Sequence, residues 1–207
     1  MPLVDILTTF RADVAQCDHL IATAHGADAG GQAFFSVEDR RQITVAAFLN
    51  LFVAWETFLE SSLVELMIGS ATLSGTVPVR YVSPLNSDRA RVLVIGVQRY
   101  FDYGNHDYVR RVVGMFFEDG YPFEPHLSSI NSDLADLRTM RNASAHVTSS
   151  TQTALEALVQ RVLAIPHPGI DLYSFLTMID PRSTTGETVF LAYKGKLIVT
   201  AELICQG

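Results

Sequence analysis

The stretch LADLRTMRNASAH, residues 134–146, has the apolar spacing of a helix but places charged groups on its apolar side. At 100° per residue, one stripe of this helix holds three apolar residues and one arginine: Ile130, Leu134, Leu137 and Arg141. This pattern predicts that Arg141 faces the protein core. A buried guanidinium is costly unless a carboxylate and hydrogen bonds compensate it, so we expect a specific role for Arg141.

A second ridge of the same predicted helix is polar. Arg138, Asn142 and His146 recur at intervals of four residues, which places their side chains next to each other on a helix. Together with Arg141, this ridge gathers two guanidiniums, an amide and an imidazole at one helix end. Guanidiniums bind phosphate oxygens, and an imidazole exchanges protons near neutral pH. The helix end is therefore the candidate functional site.

The segment RNASAH, residues 141–146, resembles the R-x4-6-H signature of HEPN domains. In that family an asparagine often follows the arginine, as Asn142 does here. HEPN proteins are all-helical, and many are metal-independent ribonucleases of prokaryotic toxin–antitoxin and defence systems. The permissive pattern also occurs at residues 99–106 and 161–167, but those copies run through helix breakers.

The HEPN resemblance implies a set of site residues, a substrate and an assembly. Arg141, Asn142 and His146 would be catalytic, and Arg138 and Ser144 would support them. The implied substrate is RNA, cleaved to a 2′,3′-cyclic phosphate without a cofactor or a metal. The resemblance also implies a homodimer that brings two motif helices together, because one imidazole cannot be acid and base at the same instant. An antitoxin or another protein partner is a further expectation.

A longer segment, residues 36–68, contains a second polar anomaly. It is apolar on nearly every side over residues 45–58, which predicts a central helix that other helices cover all round. Glu56 falls on one of its apolar stripes, and the Trp55-Glu56 step resembles a tryptophan-acid step of some HEPN subfamilies. Because a buried glutamate and a buried arginine compensate each other, we predict that Glu56 pairs with Arg141 and that Trp55 is buried.

Helical spacing predicts further helices over residues 3–25, 87–101, 105–117, 152–164 and 170–179. Ser36 and Asp39 have the spacing of a capping box at the start of the long helix, and Ser87 and Asn105 are predicted caps. Residues 70–86 are predicted to be irregular, with room for a short strand at 77–82. Residues 188–204 fit either a helix or a hairpin; we favour the helix because the surrounding segments are helical.

These patterns predict one all-α domain over residues 1–207, a HEPN-like helical bundle with extra C-terminal helices. Composition agrees with a sizeable core, since 48% of the 207 residues are hydrophobic. The net charge of −7 argues against a broad phosphate-binding face, so any RNA contact must be local, although pairs such as Arg40-Arg41 can form small positive patches.

Cysteine use and hydropathy bear on the compartment. Cys17 and Cys205 lie in helical patterns near opposite ends, which predicts two buried thiols rather than a disulfide. The N-terminus lacks the basic start of a signal peptide, and the longest apolar run is too short to span a bilayer. We therefore expect a soluble cytoplasmic protein without membrane contact.

Two alternatives stand beside the ribonuclease. The first is a non-catalytic HEPN-like helical dimer that acts as an RNA-binding or protein-interaction module, with Arg141 in a structural ion pair. The second is an unrelated helical protein that matches the motif by chance. The sequence contains no phosphate-binding loop, dinucleotide fingerprint, nucleophile elbow or zinc-protease motif, and its cysteines and histidines lack zinc spacing.

Overall fold

A computed structural model describes residues 1–145 and 148–207 of the chain. His146 and Val147 lie outside the described residues, and the predicted role of His146 lies there with them. Within the described residues the protein is all-α, as predicted. It has nine α-helices and one short 3-10 helix, and β-pairing is limited to isolated bridges.

The helices follow one another in this order: α1 Leu3–Ala24, α2 Val37–Met67, α3 Ser87–Ile95, α4 His106–Phe116, α5 Phe123–Ser129, α6 Asn131–Ala145, α7 Ser149–Leu163, α8 Leu172–Thr177 and α9 Val189–Gln206. The ambiguous C-terminal segment is the helix α9, so the hairpin alternative is wrong. The helix predicted to contain the motif is α6. Its last turn holds the described part of the RNASAH segment.

Several helix ends differ from the predicted ones for local reasons. Ser87 is not the cap of α3; the Asn86 side chain is, and it accepts a 3.0 Å hydrogen bond from the Arg89 amide. The helix ends well before residue 101 because Gly96 adopts a φ of 59°, in the left-handed region that glycine tolerates. Asn105 precedes α4 without making a side-chain cap bond.

The start of α2 and the connection that follows this helix agree with the sequence-based predictions. Ser36 Oγ accepts a 3.0 Å bond from the Asp39 amide, so the predicted cap of α2 is confirmed. Residues 70–86 are irregular, as predicted, and the possible short strand at 77–82 does not form, because only an isolated bridge between Arg80 and Phe117 is present there.

The long helix α2 confirms one prediction and corrects another. Trp55 is fully buried, with 0% of its surface exposed. The helix is not covered all round, however, because Val53 is 56% exposed and the neighbouring Ala46, Asn50 and Thr57 are exposed as well. The apolar composition of α2 predicted a core position correctly but did not reveal which stripe would remain outside the packing.

The described residues form two compact units. The first unit comprises Met1–Arg11, Ala54–Leu134 and Lys196–Gly207, and the second comprises Ala12–Val53 and Ala135–Gly195. The single HEPN-like domain over residues 1–207 stays a prediction.

Trp55 anchors the core of the first unit. Its ring stacks on Phe58 with centroids 5.6 Å apart, and Phe10 packs against Phe58 at 5.2 Å. The indole N–H of Trp55 donates a 3.0 Å hydrogen bond to Nε2 of the buried His106. The bond satisfies a polar group that burial would otherwise leave unpaired.

Both cysteines are buried free thiols, as predicted. Burial raises the pKa of Cys17 to about 11 and that of Cys205 to about 12. Since the thiolate is the reactive form, neither side chain has the character of a nucleophile near neutral pH.

Among the described helices, α2 alone is long and apolar enough to cross a membrane by length and composition. Half of its most apolar window is buried within the protein, and the core helix of a soluble protein passes the same test. The cytoplasmic location stays a prediction.

Candidate functional site

The part of α6 that belongs to the second unit has a buried side and an exposed side. Asp136, Leu137 and Met140 are buried, with exposed fractions of 7%, 1% and 0%. Arg138 and Arg141 are exposed. The expectation that Arg141 faces the core is therefore wrong.

Helix geometry explains why Met140 is buried and Arg141 is not. From Leu137, a step of four residues leads to Arg141 and a step of three leads to Met140, and both steps fit a helix with 3.6 residues per turn. The protein buries the apolar Met140 and leaves the guanidinium in water, which avoids a large desolvation cost. The buried pair predicted for Glu56 and Arg141 loses its basis, because Arg141 is exposed and Glu56 is only half-buried.

The last turn of α6 holds three of the predicted site residues together. The Arg141 guanidinium lies 3.4 Å from Asn142 Oδ1, a long contact for a hydrogen bond. Ser144 Oγ donates a 2.6 Å bond to the Arg141 carbonyl, which satisfies one of the free carbonyls at the helix end. Arg138 lies one turn earlier on α6, Glu56 lies on α2 in the first unit, and His146 falls outside the described residues.

Beside this turn, the second unit contains a groove of about 420 Å³, which we call the α6 groove. It is lined by five residues of α2, two of α6 and three at the start of α8: Arg41, Gln42, Val45, Ala46, Leu49, Ala143, Ser144, Asp171, Leu172 and Tyr173. The sequence did not predict this groove. It indicated only that the Arg40-Arg41 pair could form a small positive patch, and Arg41 is one of the lining residues. The link between residues 41–49 and 171–173 arises only from tertiary packing.

One wall of the α6 groove is held by a chain of contacts. Arg41 Nη2 donates a 2.7 Å bond to Asp171 Oδ2, and its guanidinium carbon lies 5.5 Å from the centre of the Tyr173 ring. Asp171 also caps α8 by accepting a 2.9 Å bond from the Ser174 amide. The His25 ring lies parallel to Tyr173, with centroids 6.1 Å apart. These contacts fix the positions of both Arg41 and Tyr173.

The charged residue that α6 buries is Asp136. It accepts a 2.6 Å hydrogen bond from the Tyr193 hydroxyl and forms an ion pair with Arg161. Burial, together with this hydrogen bond, raises the pKa of Tyr193 above its usual range. Arg182 lies over the same ring, 5.6 Å from its centre. This network joins α6, α7 and α9, and the burial of Asp136 and Tyr193 suits a structural role.

No group of three or more His, Cys, Asp or Glu residues that could hold a metal ion exists within residues 1–145 and 148–207. Arg141, Asn142 and Ser144 are not ligands of the kind that structural zinc prefers. What this turn can do chemically is donate hydrogen bonds to an anion. The guanidinium provides the fixed fork that matches phosphate oxygens.

Comparison with known proteins does not identify a family for this chain. No protein-family model matches the sequence, and neither the curated proteins nor the solved structures contain a significant match.

Proposed function

We propose that the protein is a HEPN-type endoribonuclease that cleaves RNA without a metal ion. The observation that carries the proposal is the exposure of Arg141 at the end of α6, where the one hydrogen bond of its guanidinium among the described residues is the 3.4 Å contact with Asn142. An arginine carries five N–H donors, and most of these are left for a ligand. Arg141 is the arginine of the HEPN-like signature, and its exposed guanidinium is available to bind a phosphate.

In the proposed reaction, a base removes the proton of a ribose 2′-hydroxyl, and the 2′-oxygen attacks the adjacent phosphorus. The bond from phosphorus to the 5′-oxygen breaks, and an acid returns a proton to that oxygen. The products are a 2′,3′-cyclic phosphate and a 5′-hydroxyl end. His146 is the proposed proton-transfer residue, and Arg141 stabilises the charge that develops on the phosphorane oxygens.

The remaining residues of the turn orient these two groups. Asn142 Oδ1 lies 3.4 Å from the Arg141 guanidinium and can orient it when a phosphate binds, and Ser144 Oγ donates a bond to the Arg141 carbonyl at the helix end. Arg138 extends the positive charge by one turn. The second imidazole would come from a second copy of the chain, so the active form is a homodimer. A toxin or defence effector of this kind also needs a neutralising partner, such as an antitoxin.

One observation favours a second candidate, the non-catalytic interaction module. Val53 on α2 is 56% exposed, and Val45 and Leu49 on the same helix are half-buried. An apolar stripe of this kind on a helix surface is typical of a protein-binding face. In this alternative the RNASAH turn binds RNA or protein without cleaving it.

The test is incubation of the purified protein with total RNA in EDTA, beside Arg141→Ala and His146→Ala variants. We expect each variant to lose about 10²–10⁴-fold of the cleavage rate, because each removes a group that acts in the transition state. Arg89→Ala is the matched control, since Arg89 is another exposed arginine and lies on α3. The product ends, read by their resistance or sensitivity to phosphatase and kinase, should be a cyclic phosphate and a 5′-hydroxyl.

Two outcomes would overturn the ribonuclease. One is cleavage that requires a divalent metal, and the other is cleavage that survives His146→Ala unchanged. The mass in solution separates the two candidates further, because an obligate dimer of this kind buries more than about 1,200 Å² and persists at micromolar concentration. A strictly monomeric protein with no cleavage in EDTA would support the interaction module.

A further inference from the structure

The α6 groove lies directly against the proposed catalytic turn. Two of its lining residues, Ala143 and Ser144, stand between Arg141 and His146 in the sequence. A ligand in the groove therefore touches the same turn of α6 that would hold the phosphate. If the turn binds the scissile phosphate of an RNA, the groove lies beside an adjoining nucleotide.

The size and the walls of the groove suit a flat heterocycle. Its volume of about 420 Å³ falls in the range of small-molecule sites, about 300–1,000 Å³. Val45, Leu49 and the buried Leu172 provide apolar surface for the face of a ring. Tyr173 adds an aromatic side chain to the wall. Proteins bind unpaired bases through contacts with aromatic side chains and with other apolar side chains.

The groove also has a polar group that no neighbour satisfies. Gln42 is exposed, and within the described residues its amide makes no hydrogen bond. A side-chain amide presents a donor and an acceptor next to each other, which matches the edge of a nucleobase. Gln42 can therefore read the edge of a base whose face lies on the apolar wall.

The charges of the groove favour a base over a phosphate. Arg41 is the cation among the lining residues, and Asp171 neutralises it at 2.7 Å. A phosphate placed here would have to compete with that carboxylate, whereas an uncharged base would not. The Arg41–Asp171 pair then acts as a fixed rim.

From these observations we infer that the α6 groove is the subsite for one unpaired nucleobase of the RNA, beside the phosphodiester that is cleaved. The inference rests on the proposed function for the identity of the polymer. It assigns the sequence preference of the enzyme to Gln42 and the apolar surface under the base to Val45 and Leu49, while Tyr173, which contacts Arg41 and His25, forms part of the wall.

The binding test uses adenosine, guanosine, cytidine and uridine, each with its 3′-monophosphate, added to the His146→Ala protein. The readout is the shift of the methyl NMR signals of Val45 and Leu49. We expect at least one nucleoside to shift both signals, and its 3′-monophosphate to bind within about tenfold of it because the groove reads the base. Ala46→Phe, which fills the groove, should abolish the shifts. Gln42→Leu should weaken binding, while the matched control Gln16→Leu, on the exposed side of α1, should not.

The cleavage test uses short RNAs that differ at one position beside the cut site. The wild type should prefer one base there, and Gln42→Leu should reduce this preference by at least about tenfold while leaving the cyclic-phosphate product unchanged.

If no nucleoside shifts the two methyl signals, or if Ala46→Phe retains the same base preference, the inference is wrong and the ribonuclease still stands. If nucleosides bind but the wild type cleaves no RNA in EDTA, the ribonuclease is wrong and the groove remains a nucleoside site.

Discussion

Asp136 and Arg141 are charged residues of one helix, five positions apart, but the first is buried and the second is exposed. Asp136 is 7% exposed, and it has a tyrosine hydroxyl and an arginine as partners. Arg141 is exposed, and the one hydrogen bond of its guanidinium among the described residues is a long one to the neighbouring Asn142. The buried charge is thus fully engaged within the fold, and the exposed charge is left to interact with something else.

This difference separates structural polar groups from functional candidates. A buried carboxylate must be satisfied by the protein itself, so its partners are built into the packing of α6, α7 and α9. A group that acts on a ligand must keep its donors unoccupied until the ligand arrives. The sequence pattern alone had assigned the buried position to Arg141, and the structure reverses that assignment.

The largest expected effect is on the free energy of unfolding when each charge is removed. Asp136→Ala leaves the buried Tyr193 hydroxyl without its acceptor and Arg161 without its carboxylate, and should cost about 2–4 kcal/mol. Arg141→Ala should change the stability by no more than about 0.5 kcal/mol, because it is an exposed side chain. Urea denaturation of the two variants measures both values. Equal losses would show that Arg141 has a structural role after all.

A smaller effect is expected when only the hydroxyl partner of Asp136 is removed. Tyr193→Phe keeps the ring and the ion pair with Arg161, so it should cost about 1–2 kcal/mol. Tyr100→Phe is the matched control, because Tyr100 is 70% exposed, and should have almost no effect. A double-mutant cycle with Asp136→Asn isolates the pair, and a coupling energy near zero would contradict the proposed network.

The smallest effect concerns alkaline pH. The ordinary pKa of tyrosine is 10.0, and burial together with the bond to Asp136 raises that of Tyr193. The unfolded chain therefore loses this proton first, so the stabilisation is complete below pH 10 and declines as the pH rises above it. Over the first pH unit above 10, the wild type should lose about 1 kcal/mol more than Tyr193→Phe. Denaturation curves at a series of pH values measure this, and parallel losses would contradict it.

Local sequence was sufficient for the all-α class and for most of the helices, although it did not predict α5. The all-α class, the buried Trp55 and the two buried thiols follow from hydrophobic spacing, which depends on residues close together in the chain. Helix ends were less accurate, as at α3, because a single glycine conformation decided where the helix stopped. The catalytic assignment of residues 141–146, the dimer and the RNA substrate stay predictions.

The sequence by itself determined that α6 exists, that it has an apolar face and that its last turn collects Arg141, Asn142 and Ser144. Only the tertiary structure decided which side of that helix turns inward, because steps of three and four residues fit the helical period equally well. Met140 is buried and Arg141 is not, because a buried thioether needs no hydrogen-bond partner whereas a buried guanidinium does. Packing also brought residues 41–49 and 171–173 to the same turn, and contacts between such distant segments leave no periodic trace in the sequence.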